Sequence, residues 1–291
     1  NQDHEANTGA WRQLAQAGIE VREWQIDPET GHLDPVTLKP LLKGARLLCF
    51  PHCSNVIGEI NDVAAITRQA KSEGVAVCVD GVSYAPHGFP NVAELGCDIY
   101  MFSAYKTYGP HQGIMIVRKP LGEALPNQGH NFNGGVLYKR FTPAGDDHAQ
   151  IAACAGMADY VDTLYAELGG PQAKASARAA AVHDAMRARE SELLQRLLDF
   201  LSTKNSLRLI GPMDASLRAP TVGLLAKRRG EDIANDLASH NINAGGGDFY
   251  SPRPLQAMGI DPAHGLLRMS FTHYTSDGEL DRLISALDHV L

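Results

Sequence analysis

Four short apolar runs, each too brief for a helix, constrain the fold of this chain more than anything else in its sequence. They are Arg46–Phe50, Val75–Val79, Asp98–Phe102 and Gly113–Val117. Runs of this length bounded by polar or turn residues read as buried strands. Between the first two, Asn61 to Glu73 carries a helical pattern ended by Gly74. Strands alternating with helices predict an α/β unit with a mostly parallel sheet, whose ligands gather beyond the carboxyl ends of the strands. Asp80 and the segment Ser103–Lys106 follow two of those ends directly.

The second half has a different rhythm. Apolar residues at Ile151, Cys154, Met157, Val161 and Leu164 predict one helix over about Asp147–Leu164. A longer helix follows, with Val182, Met186, Leu193, Leu197 and Leu201 on one stripe. Beyond it, Leu207–Ile210, Thr221–Leu225 and Leu267–Phe271 read as strands, Glu231–Ser239 as a helix, and the chain closes on another helix. Ala244–Gly247 reads as a loop. The expected organisation is a large domain over residues 1–165 and a smaller α+β domain over 166–291.

Composition excludes several roles. Acidic residues outnumber basic ones for a net charge of −7, with no long basic run, which argues against nucleic acid as a partner. No apolar run approaches the ~20 residues of a membrane span. The five cysteines, Cys49, Cys53, Cys78, Cys97 and Cys154, lack zinc-type spacing and are odd in number, so a reducing cytoplasm is expected. Cys49, Cys78 and Cys97 read as small hydrophobes in or beside strands.

The chemistry lies in the turn residues. A lysine (Lys106) and a carboxylate (Asp80) at adjacent strand ends are what pyridoxal phosphate (PLP) needs: an amine for its aldehyde and an anion for its ring nitrogen. The surrounding stretches Val77–Pro90 and Asp98–Gly113, with Asp80-Gly81-Val82-Ser83 and Ser103-Ala104-Tyr105-Lys106 at their centres, resemble the class V aminotransferase family of fold-type I PLP enzymes. The cysteine-desulfurase-like branch is the nearest that can be named, and the resemblance covers nearly the whole chain. It implies the PLP-dependent transferase fold type I, a homodimer, and an amino acid or related amine as substrate.

Carried over position by position, the resemblance makes Lys106 the Schiff-base lysine and Asp80 the partner of the pyridine nitrogen. His4 would stack on the ring and relay protons. Asn55 would lie beside the ring oxygen and the substrate, and Ser83 would bond that oxygen. Ser103 and Tyr105 would bind the phosphate, with tyrosine standing where relatives often have histidine. Arg268 would grip the substrate α-carboxylate, for which a planar guanidinium is suited.

The chain also departs from the pattern. It opens at Asn1-Gln2-Asp3-His4, a motif internal to relatives, which carry a leading segment with a phosphate-binding loop. Desulfurases bear a nucleophilic cysteine on a loop corresponding to about Gly245–Ser251, whereas no cysteine here follows Cys154. Asp146 and Asp147 fall where relatives reach the partner subunit's phosphate, and their charge would oppose it. Two readings stand: a PLP-dependent transferase or lyase acting through Lys106, or a non-catalytic or truncated member serving as a binding or dimerisation module.

Overall fold

The computed structural model describes all 291 residues and contains two four-stranded sheets. The first holds β1 (Leu47–Pro51), β2 (Ala76–Asp80), β3 (Ile99–Ser103) and β4 (Gly113–Val117), in that order. β1, β2 and β3 run parallel, and β4 returns antiparallel along β3, so the sheet is mostly parallel as expected. The helix Val63–Ser72 makes the crossover from β1 to β2. It starts where the Asp62 carboxylate accepts the Ala65 amide, and the chain leaves it through Gly74 at a φ of 74°.

The second sheet holds β5 (Arg208–Ile210), β6 (Thr221–Leu225), β7 (Gly245–Gly247) and β8 (Leu266–Ser270). Its spatial order is β5-β6-β8-β7, and every pairing is antiparallel. The helices Gly230–Ser239 and Asp277–Val290 complete this α+β part, the second opening on a Ser276–Glu279 capping box.

Two expectations need correction. The Ala244–Gly247 stretch is not a loop: Gly245–Gly247 pairs with Leu266–Arg268 as an edge strand. The missing side chains explain both the misreading and the strand. A Cβ on Gly246 would lie 2.1 Å from the Glu231 amide nitrogen, so only glycine lets the helix Gly230–Ser239 approach this closely. The helix read over Asp147–Leu164 is in fact two, His148–Ala153 and Ala155–Glu167. The ladder tightens at Cys154, whose carbonyl accepts the Met157 amide in a three-residue bond.

The long helix Ala175–Ser202 buries Val182, Met186, Leu193, Leu197 and Leu201, the stripe read from the sequence. The same face carries a charge in its middle: Glu190 is fully buried and bonds His87 Nδ1 at 3.1 Å, with Arg187 Nη1 at 3.6 Å. One hydrophobic core joins Phe50, Val77, Val79, Tyr100 and Phe102 of the first sheet to Ile210, Leu255, Met258, Ile260 and Leu266 from the second half. A second core lies between the long helix, β6, β8 and the helices Gly230–Ser239 and Asp277–Val290. Cys78 and Cys97 are buried and Cys49 half-buried, and all five cysteines are free thiols.

Candidate active site

Two parallel strand ends create the site. β2 closes on Asp80, which lies opposite Met101 of β3. The chain then turns sharply, with the Gly81 amide donating to the Met101 carbonyl at 2.7 Å. Position 81 must be glycine, because a Cβ there would lie 2.1 Å from the Tyr100 ring. β3 closes on Ser103, and a single 3-10 turn, Ala104–Lys106, follows it and ends on the exposed lysine.

The electrostatics show which of these groups act on one another. Burial raises the Asp80 carboxyl above its usual range, while the Val82 amide and the Lys106 amine pull it back. Only one of its oxygens has a hydrogen-bond partner, the Val82 amide at 2.8 Å. Burial and the nearby charges of Lys106 and Arg268 lower His4, so its imidazole is neutral. His4 Nδ1 accepts the Ala6 amide at 3.1 Å as a helix cap, which leaves the ring proton on Nε2. The charges of Lys106 and Arg268 thus act on His4, and that of Lys106 acts on Asp80.

Arg268 lies in β8, half-buried, and burial lowers its pKa. No carboxylate pairs with it. Its one hydrogen bond is from Nη1 to the Asn55 carbonyl at 3.0 Å, and its guanidinium lies over the Phe249 ring, 4.2 Å from the centroid. Asn55 enters the site differently from expectation. Its side-chain amide donates to the Phe249 carbonyl at 3.0 Å and accepts from Ser251 Oγ at 2.8 Å, tying it to the turn after β7.

The three remaining expected residues are not joined to this cluster. Ser83 is half-buried in the turn after Asp80, and its hydroxyl has no protein partner. Ser103 contributes a carbonyl to Thr107 Oγ1 at 3.0 Å, its own hydroxyl remaining free. The Tyr105 ring is half-exposed and stacks on His111 with centroids 4.8 Å apart. Asp147 caps the helix His148–Ala153 by accepting the Gln150 amide at 3.1 Å, which uses its charge locally.

Sequence reasoning missed Asp3, Phe249 and Tyr250. Asp3 is buried beside His4 and accepts hydrogen bonds from the His4 amide, at 2.8 Å, and from Asn7 Nδ2. Burial, and after it the neighbouring Asp80 carboxylate, push its pKa up to about 8. Its place next to His4 was the available signal. For Phe249 and Tyr250 there was none, because both take left-handed backbone, φ 54° and 57°, which aromatic residues rarely adopt. A cavity of about 390 Å³ lies against β1 and residues 19–24 and includes Asp3 but not Lys106 or Asp80.

Residues 1–283 match the family described as Aminotransferase class-V. The Aminotransferase-like protein FGM3 of Gibberella zeae is 31% identical over 300 residues, covering 100% of this chain and 71% of that protein. A cysteine desulfurase of Serratia proteamaculans is 30% identical, covering 99% of this chain and 69% of its own. Among solved structures, the apo cysteine desulfurase of Thermococcus onnurineus superposes with a TM-score of 0.81 at 22% identity, covering 99% of this chain and 70% of that one. The cysteine desulfurase CsdA of Escherichia coli gives 0.80 at 23%, with the same coverage of each chain. The chain thus spans about 70% of the length of these relatives.

Proposed function

The chain belongs to the class V aminotransferase family of PLP-dependent enzymes, and on that premise we propose that it transforms an amino acid at the cluster of Asp80, Lys106, His4 and Arg268. The single observation carrying this reading is that the cluster's charges are unspent. Lys106 is exposed and takes part in no ion pair, Asp80 has one oxygen without a hydrogen-bond partner, and Arg268 has no anion. A half-buried guanidinium with most of its donors unused is suited to a carboxylate from outside the protein.

The donor set fits PLP. Bound here, PLP would supply an electron sink for negative charge developing at the substrate α-carbon. Lys106 would supply the amine that holds the PLP aldehyde and would be placed to move a proton at the substrate α-carbon. Asp80 would keep the ring nitrogen protonated from its partly buried position at the end of β2. His4 would offer the ring a neutral imidazole. The unpartnered hydroxyls of Ser83, Ser103 and Tyr105 are donors for the ring oxygen and the phosphate. Arg268 takes the substrate carboxylate, and Asn55 holds that arginine from its backbone.

Persulfide formation is not part of this proposal, because the Gly245–Ser251 segment offers no thiolate and no cysteine follows Cys154. A homodimer is part of it. Phe132 and Tyr138, 82% and 78% exposed, are aromatic anchors of the kind such an interface buries. The test is borohydride reduction of the protein mixed with PLP, followed by peptide mapping. A reduced adduct on Lys106, absent from Lys106→Ala, supports the reading; no adduct on Lys106 overturns it.

A further inference from the structure

The turn between β7 and the helix Pro252–Ala257 is built at a cost. Phe249 and Tyr250 are consecutive non-glycine residues in left-handed backbone, a conformation that strains a side chain bearing a Cβ. Several contacts hold them there. Asn55 bonds the Phe249 carbonyl and receives the Ser251 hydroxyl. The Glu5 amide donates to the Tyr250 carbonyl at 2.9 Å, and Asp248 Oδ1 accepts the Tyr250 amide at 3.0 Å. Strain maintained by this many bonds at the edge of a reactive cluster indicates that the conformation itself is used.

Its visible product is the place of the Phe249 ring. The ring lies beneath Arg268 and over Gly245, the residue paired with Arg268 in the β7–β8 ladder. A Cβ on Gly245 would lie 2.8 Å from that ring, so the glycine leaves the space in which it sits. We propose that Phe249 is a positioning residue for substrate recognition. Its ring holds one face of the Arg268 guanidinium, and the Asn55 carbonyl holds one N–H. The arginine's remaining donors are left fixed for the α-carboxylate of an amino acid. This rests on the role given to Arg268 above, and adds that the arginine's orientation is made by the Asp248–Ser251 turn.

The test is spectral titration of the PLP-loaded protein with L-alanine and with ethylamine, which lacks the carboxylate, in wild type, Phe249→Leu and Phe249→Trp. Melting temperatures monitor folding in parallel. Wild type is expected to bind L-alanine more tightly than ethylamine. Phe249→Leu should weaken L-alanine by about tenfold, the scale of a lost cation–π contact, and leave ethylamine unchanged. Phe249→Trp, which keeps an aromatic face, should restore the preference. A preference intact in Phe249→Leu overturns the role of Phe249 while leaving Arg268 as the receptor. No preference in wild type overturns the carboxylate role of Arg268 and this proposal together.

Discussion

Arg218 Nη2 donates to the carbonyl oxygen of Ile57 at 3.0 Å, across 161 residues of sequence. The same nitrogen reaches the carbonyls of Ile210 and Thr221, and Nη1 reaches that of Pro212. Arg218 is fully buried without a carboxylate partner, and burial pulls its pKa down to about 10. One guanidinium thus ties the turn after β1 to the strands of the second sheet through their backbone oxygens.

Replacing Arg218 by leucine is therefore expected to destabilise the fold by about 3–5 kcal/mol, since it removes hydrogen bonds to several backbone carbonyls. Urea denaturation followed by circular dichroism measures this. A loss under about 1 kcal/mol would mean that water replaces the side chain without difficulty.

His52 gives a pH dependence of defined sign. It is buried, stacked on Tyr84 with centroids 3.7 Å apart, and bonded through Nδ1 to the Tyr100 hydroxyl at 3.0 Å. Burial, with smaller contributions from His183 and Arg187, lowers it to about 3. The unfolded chain binds the proton near pH 6.5 and the folded one only near 3, so stability is full above 6.5 and falls on acidification. Relative to His52→Gln, wild type should lose stability by about 1.4 kcal/mol per pH unit as pH falls from 6 toward 4. Parallel profiles would show that His52 is protonated in the native state.

Asp80→Asn should leave the borohydride-trapped adduct on Lys106 in place and lower turnover of any amino acid substrate by about a hundredfold. It should also act on its neighbour without any cofactor. The like charge that helps hold Asp3 up near 8 is removed, so the Asp3 carboxyl should titrate at lower pH. Carbon-detected NMR of the carboxyl groups reads this directly, and an unmoved Asp3 would mean that burial alone sets its value.

Gly246→Ala tests the edge strand. With the new Cβ 2.1 Å from the Glu231 nitrogen, the helix Gly230–Ser239 must shift, at a cost of about 1–3 kcal/mol. Gly135→Ala, where no atom lies within 4 Å and φ is not positive, is the matched control and should be near neutral. Equal melting temperatures for the two variants would show that the helix moves freely.

What the sequence revealed follows from what periodicity can encode. Gly113–Val117 and Thr221–Leu225 are strands over the residues read, because a short apolar run between turn residues has few other uses. The long helix shows its stripe for the same reason, although the fully buried Glu190 within that stripe is invisible to a hydrophobic pattern. Gly245–Gly247 failed because glycine signals a turn unless one knows what approaches it. The cluster of Asp80 and Lys106 was legible through its motif. The Phe249 ring beneath Arg268 was not, since that contact depends on left-handed backbone and on Asn55, nearly two hundred residues upstream. Long-range pairings of this kind leave no local trace.

The hydrophobic core that mixes Phe50 and Tyr100 with Leu255 and Leu266 has a thermodynamic consequence. Neither sheet can melt while the other persists without exposing part of the interior that both share. Heat should therefore take the molecule apart in a single calorimetric transition, with calorimetric and van't Hoff enthalpies equal. Amide protons of β2 and β8 should exchange with the same opening free energy. Lys106 and Arg268, which come from opposite halves, then remain in register for as long as anything remains folded.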